Sequence, residues 1–491
     1  MLFNSYAFIF LFLPVVAVVF FRLAKTGPQY ASAWLAFSSV FFYGYWNPGY
    51  VGLLLASIVC NYSFGTWIGR AGANGNQVRS RQLIFAAITL NLLLLGYYKY
   101  ANFFVANIDD LVGTHWMLGK IMLPLGISFF TFTQIAFLVD VYQGKVKEYN
   151  FMHYLLFVTY FPHLIAGPIL HHQEMMPQFA QRKNYHLNWE NVATGLLLFT
   201  LGVCKKVLWA DSFAPYANDI FNGLHTGALP TTYEAWSGAL AYTLQIYFDF
   251  SGYTDMALGI ALIFNIRLPF NFDSPYKSTS IIDFWRRWHM TLSRFLRDYL
   301  YIPLGGNRKG KSRRYLNLMA TMFLGGLWHG AGWTFVLWGV LHGIYLTINH
   351  LWRDFTKSRM SFPCPGWLAG LAGGLITFVA VVTAWVLFRA NDLSQAITML
   401  KAMYGIEARP IPLHAVLHGN LLTLSDLSGR DLVKLVVMGL AWIWLLPNSN
   451  RIKFLSKGYV TAIIQAGAVV GMMVLALDQF GSYSPFLYFQ F

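Results

Sequence analysis

The feature that most restricts this chain is its repeated supply of apolar runs long enough to cross, or nearly cross, a bilayer. They fall at about 5–21, 30–46, 50–68, 83–98, 121–141, 150–170, 191–209, 233–248, 315–328, 333–350, 368–388, 434–446 and 458–479. Charged residues make up only 11% of the 491 positions, where a soluble globular domain has about a quarter. Such a pattern belongs to an all-α polytopic membrane protein. Runs well under about 18 residues re-enter the membrane or line a protein-walled cavity more often than they span it, so the pattern predicts about 10 to 12 true crossings beside re-entrant and interfacial helices.

The basic residues set topology. Net charge is +15, but Lys and Arg sit between the apolar runs rather than on one stripe, which argues for lipid surroundings and against a nucleic-acid partner. Arg22 and Lys25 follow the first run, Arg70, Arg79 and Arg81 the third, and Lys145 and Lys147 the fifth. Alternate loops are therefore expected on the cytoplasmic side, with the amino terminus outside. Arg308, Lys309, Lys311, Arg313 and Arg314 place the loop 303–314 on the cytoplasmic side as well. The amino end, MLFNSYAFIFLFLPVVAVVFF, has no basic leader region and no small-residue cleavage site, and reads as a retained first span. Cys60, Cys204 and Cys364 are far apart and follow no metal-ligand spacing, so neither a disulfide framework nor a metal site is expected.

The stretch Leu324–Gly343, LGGLWHGAGWTFVLWGVLHG, carries His329 inside apolar sequence. An ionisable group there is costly without partners and marks a candidate functional site. A core histidine bonded to a nearby carbonyl is the plain alternative. Gly325, Gly326, Gly330 and Gly332 signal a broken helix or close backbone approach to a ligand, and the indoles of Trp328, Trp333 and Trp338 would wall off water. A neutral imidazole so placed suits removal of a proton from a hydroxyl as an acyl group arrives. His342 would lie about 140° around a continuous helix from His329, which favours a structural role.

The segment Ile281–Tyr301, IIDFWRRWHMTLSRFLRDYLY, is amphipathic at helical spacing and predicts one interfacial or cavity-roofing helix. His289 falls roughly 80° from the centre of its apolar face, at the border. It is either a second site histidine or a solvated residue beside Arg286. Ser394–Met403 predicts a further surface helix. In QIYFDFSGYTD, Asp249 and Asp255 are placed either to orient a histidine or a guanidinium such as that of Arg286, or to act as caps, the latter being favoured. Pro162, Gly167 and Pro168 break the run YFPHLIAGPI, in which His163 has no assignable role. The terminal FLYFQF is an aromatic anchor or presents Tyr488 as an acyl-accepting phenol. No GxSxG, P-loop or GxGxxG occurs in a useful context.

Taken in order, MLFNSYAFIFLFLP, FPHLIAGPI, YFDFSGYTDMA, FWRRWHMTLSRFLRDYLYIPLGGNRKG, GGLWHGAGWTFVLWG, WVLFRAND and FLYFQF make the chain resemble the membrane-bound O-acyltransferase superfamily, specifically its bacterial polysaccharide O-acetylation branch. The resemblance covers essentially residues 1–491 as a single domain, with 281–350 as catalytic segment and 480–491 as aromatic tail. It implies a helical ring around a tunnel, His329 as the signature catalytic histidine, His289 as its partner, and Tyr488 as an acyl-relay candidate. It also implies a cytoplasmic thioester donor, acetyl-CoA, no bound cofactor, and an exported polysaccharide as acceptor. A separate extracytoplasmic serine-type O-acetyltransferase and the export machinery would be the partners, at the bacterial inner membrane. D-alanyl transfer is the alternative within the superfamily. A transporter whose histidines relay protons is the rival of another class, but the paired repeats expected of one are not visible.

Overall fold

The computed structural model describes residues 1–491 except 115, 117, 120, 147–148, 225–226, 360–364, 413–420, 426, 453–458, 481–485 and 488–491. Among the described residues the regular structure is helical throughout, without strands. The main helices are α1 (Leu13–Thr26), α2 (Pro28–Gly44), α3 (Gly49–Ala73), α4 (Gln77–Leu95), α5 (Ala101–Val112), α6 (Ile127–Tyr142), α7 (Phe151–Thr159), α8 (His172–Ala180), α9 (Trp189–Cys204) and α10 (Asp211–Gly223). They continue with α11 (Thr232–Ile263), α12 (Ile281–Arg287), α13 (Met290–Leu296), α14 (Lys311–His329), α15 (Trp333–Arg359), α16 (Gly366–Arg389), α17 (Leu393–Met403), α18 (Gly429–Leu445) and α19 (Tyr459–Asp478). Two compact units divide the chain: Met1–Val203 with Tyr253–Phe270 and Lys453–Gln490, and Cys204–Gly252 with Asn271–Ile452.

In the first unit, apolar surface alone gives helices little reason to associate in lipid, and buried amides supply specific contacts. Asn91 Nδ2 donates to Asn61 Oδ1 at 2.6 Å, and Asn61 Nδ2 returns a bond to Asn91 Oδ1 at 3.2 Å. Gln134 Nε2 donates to Ser57 Oγ at 3.0 Å and Gln134 Oε1 accepts from the Tyr154 hydroxyl at 3.2 Å, so α3, α4, α6 and α7 share one polar network. The expected break in YFPHLIAGPI is present. α7 stops at Thr159, ahead of Pro162, and the chain turns so tightly that a Cβ on Gly167 would strike His163.

In the second unit, α14 and α15 form an antiparallel hairpin. Lys311 and Arg314 at the start of α14 reach Asp354 near the end of α15, at 3.2 and 3.4 Å. Midway, Gly326 and Gly339 face each other so closely that a Cβ on either would lie 3.0 Å from the other's Cα and would strike a backbone carbonyl. Gly326, one of the glycines expected to mark a broken helix or a close approach to a ligand, thus brings one helix onto another. The surface helix expected at Ser394–Met403 forms as α17, which buries Gln395, Ala396, Met399, Ala402 and Met403 on one side.

Among the described residues, five helical stretches are long and apolar enough to cross a membrane: Ala7–Thr26, Gly49–Ala73, Gln77–Val112, Trp189–Gly223 and Gly366–Arg389. Ile127–Tyr142 and Ile463–Asp478 are shorter apolar helices. The chain is a multi-pass helical membrane protein. Several other expected runs became helices that carry polar groups, as α11 does with buried Glu234, Asp249 and Asp255. A side chain packed against protein need not be apolar to lie at membrane depth.

Gly339→Val is expected to destabilise the folded chain by about 1–3 kcal/mol or more through overpacking, whereas Gly370→Val on α16, with open space around it, is expected to be tolerated. Thermal unfolding in detergent, followed by size-exclusion recovery, measures both.

Candidate functional site

α14 ends at His329 because Gly330 leaves the helix in an extended conformation, with φ −160° and ψ 150°. A side chain at Gly330 would strike the Phe335 ring, so the tight turn into α15 depends on glycine. The His329 ring, 4% exposed as a residue, is walled by Trp328 at 4.9 Å, Trp338 at 5.1 Å and Phe388 at 5.1 Å between centroids. As the last residue of α14, His329 lies at the negative end of that helix's dipole.

His289 lies in a different local structure from the one its sequence predicts. The expected single helix over Ile281–Tyr301 is broken: α12 ends at Arg287, Trp288 is extended, and α13 begins at Met290. His289 between them takes the left-handed conformation, φ 43°, ψ 53°, which is uncommon for a residue other than glycine and marks a position held by its surroundings. Asn271 does much of the holding. Its carbonyl oxygen accepts from Met290 N at 3.0 Å, and its side-chain oxygen accepts from Thr291 N at 3.2 Å and Thr291 Oγ1 at 2.6 Å. His289 is accordingly 0% exposed, so the border position and the solvated alternative are both corrected. Its ring packs on Phe250 at 4.8 Å and Trp328 at 6.1 Å, and stands 6.4 Å from the His329 ring. Two histidines forty residues apart in sequence therefore share one aromatic enclosure.

His342 is brought to the same cluster, since α14 and α15 are separate helices and the continuous-helix geometry does not apply. Its ring packs on Trp338 at 4.8 Å and accepts a hydrogen bond from Trp285 Nε1 at Nδ1, 3.2 Å. Trp385 stacks on Trp338 at 5.8 Å.

The other candidates disperse. Trp328 is in the cluster, whereas Trp333 opens α15 with 52% exposure and Arg286 is exposed on α12. Asp249 belongs to an ion-pair group, in which buried Lys206 Nζ lies 2.8 Å from both Asp249 Oδ1 and Asp211 Oδ1. Asp255 is buried on the part of α11 that belongs to the first unit. Tyr488 lies outside the described residues, and Phe486 just before it is buried against Tyr253 at 4.9 Å. Among the described residues no group of three or more His, Cys, Asp or Glu could hold a metal ion.

Sequence reasoning named Trp338 among the indoles around His329 but passed over Phe388, Asn271 and Lys206. Only Lys206 had a signal, a charge within the apolar run VCKKVLW. Lys206→Met is expected to destabilise by about 3–5 kcal/mol, because it leaves the buried Asp249 carboxylate uncompensated. Chemical denaturation of the detergent-solubilised protein checks this. The double change to Lys206→Met with Asp249→Leu is expected to recover part of the loss.

The sequence pattern of the membrane-bound O-acyltransferase family matches residues 40–388. A peptidoglycan O-acetyltransferase of Helicobacter pylori is 44% identical over 433 residues, covering 83% of this chain and 80% of its own. A probable alginate O-acetylase, AlgI, of Pseudomonas putida is 36% identical over 513 residues, covering both chains fully at 100%. A teichoic acid D-alanyltransferase of Bacillus subtilis is 28% identical over 277 residues, covering 54% of this chain and 68% of its own. The chain belongs to the membrane-bound O-acyltransferase family, in the branch of its bacterial O-acetylating relatives, and is an acyltransferase.

Proposed function

We propose that the protein moves an acetyl group from cytoplasmic acetyl-CoA across the bacterial inner membrane for O-acetylation of an exported polysaccharide such as alginate, cellulose or peptidoglycan. The observation that carries this reading is the enclosure of His329 and His289 in one aromatic cluster, 6.4 Å between rings, in a chain similar over most of its length to a peptidoglycan O-acetyltransferase and to alginate O-acetylases. The matched pattern 40–388 runs through parts of both compact units, which supports treating 1–491 as one acyltransferase domain.

In this mechanism a hydroxyl oxygen attacks the thioester carbonyl carbon while His329 takes its proton and becomes charged, helped by the neutral His289 within the dry enclosure. The carbonyl oxygen takes up the displaced electron pair. As it re-forms the double bond, the carbon–sulfur bond breaks and the proton passes from His329 to the departing thiolate. The attacking hydroxyl belongs either to Tyr488, acting as relay, or to the serine of a separate extracytoplasmic transferase that passes the group on with the export machinery. Arg308, Lys309 and Arg313 remain exposed at the start of α14. They stand about 28 Å along that 19-residue helix from His329. Their part is long-range attraction of donor phosphates on the cytoplasmic side, with the amino terminus opposite.

Similarity to teichoic acid D-alanyltransferases, 29% identical over 55% of this chain in the Streptococcus thermophilus protein, supports a second reading with the same chemistry and a D-alanyl group. The longer and closer matches to O-acetylating proteins favour acetyl.

His329→Ala is expected to lower acetyl ester on exported polymer by about 100-fold or more at unchanged protein level. Tyr488→Phe is expected to do the same if the phenol carries the group. Ester content normalised to membrane abundance decides each assignment, and wild-type acetylation in His329→Ala would remove His329 from the reaction.

A further inference from the structure

Trp338 and His342 lie one helical turn apart on α15, and each buries a ring nitrogen that finds no hydrogen-bond partner among the described residues: Trp338 Nε1 and His342 Nε2. The position of the His342 proton follows from its other nitrogen. Trp285 Nε1 donates to His342 Nδ1 at 3.2 Å, and a nitrogen that accepts a bond carries no hydrogen, so the neutral ring has its proton on Nε2. Both groups are thus N–H donors. Trp338 touches His329 edge-on at 5.1 Å and His342 at 4.8 Å, which makes it the contact between the proposed base and the third histidine.

Packing alone does not account for these donors. Phenylalanine and leucine would occupy the same enclosure without burying an N–H that lacks an acceptor, which lowers stability. What two donors and no acceptor would recognise is an oxygen with lone pairs and no hydrogen, which is the character of an acyl carbonyl.

We propose that Trp338 Nε1–H and His342 Nε2–H form an oxygen-binding subsite that holds the carbonyl oxygen of the transferred acyl group beside His329. This rests on the acyl-transfer reading given above and adds the electrophilic side of the reaction. As the attacking oxygen bonds to the carbonyl carbon, the electron pair displaced onto the carbonyl oxygen would be stabilised by these two donors, in surroundings that exclude water. The pair returns when the carbon–sulfur bond breaks, and the thiolate leaves with the proton that His329 had taken. Neither nitrogen is reachable by solvent in this arrangement, so the acyl group enters only as a neighbouring ring shifts, and the reactive ester stays shielded from hydrolysis.

The test uses membranes of the producing host with the full-length chain, acetyl-CoA as probe and released thiol as readout. Trp338→Phe keeps an aromatic ring and removes the N–H. His342→Leu removes the other donor, and His342→Gln restores an amide N–H near the Nε2 position. Turnover, kcat, is expected to fall about 100-fold in Trp338→Phe and in His342→Leu with KM little changed, and His342→Gln is expected to recover most of what His342→Leu loses. Wild-type kcat in both Trp338→Phe and His342→Leu overturns the subsite. So does a His342→Gln protein as inactive as His342→Leu at equal abundance. His329→Ala separates the two ideas: full turnover there, with turnover lost in Trp338→Phe, removes the base assignment and supports the subsite without it.

Discussion

The close approach of α14 to α15 is the contact on which the histidine cluster depends. Gly326 and Gly339 meet with no room for a side chain on either. Other close contacts accompany it along the hairpin. Gly343 accepts Met319 against its backbone, Gly330 lets the chain reverse beneath Phe335, and His329 comes to rest against Trp338 one helix over. In lipid, where apolar surface gains little from leaving its surroundings, van der Waals contact at this range is among the few forces that can hold two helices in register. The glycines thereby set where imidazole and indole rings meet.

A second constraint is that polar groups at membrane depth must be matched. Lys206 sits between Asp249 and Asp211, and the Asn61–Asn91 pair joins α3 to α4. Glu234, fully buried at the start of α11, accepts from Thr231 N at 2.8 Å within the first turn and from Thr423 N and Leu424 N at 2.6 and 2.9 Å, which ties a distant loop to the helix. Trp338 Nε1 and His342 Nε2 are among the buried polar atoms that find no partner among the described residues, and Trp338 packs against His329.

The kink at His289 shows how the enclosure is completed. Left-handed backbone at a histidine is unfavourable by itself, and Asn271 offsets it by taking the first amides of α13. A straight amphipathic helix would have left His289 at the edge between apolar and polar faces. Broken at that residue, the segment turns the ring inward onto Phe250, 6.4 Å from His329.

The sequence by itself determined the membrane setting, the helical class, the broken run at YFPHLIAGPI, the singular position of His329 and the family to which the chain belongs. Those follow from local quantities: run length, charge placement, Pro and Gly position, and the identity of short motifs. Only the tertiary structure decided that Ile281–Tyr301 is two helices, that Asp249 answers Lys206, that Trp338 and not Trp333 walls His329, and that His342 belongs beside it. A helical wheel assumes an unbroken helix, and a periodic pattern carries no record of which helix lies opposite. Here that partner is chosen by two glycines thirteen residues apart, and by an asparagine eighteen residues before the histidine whose backbone it holds.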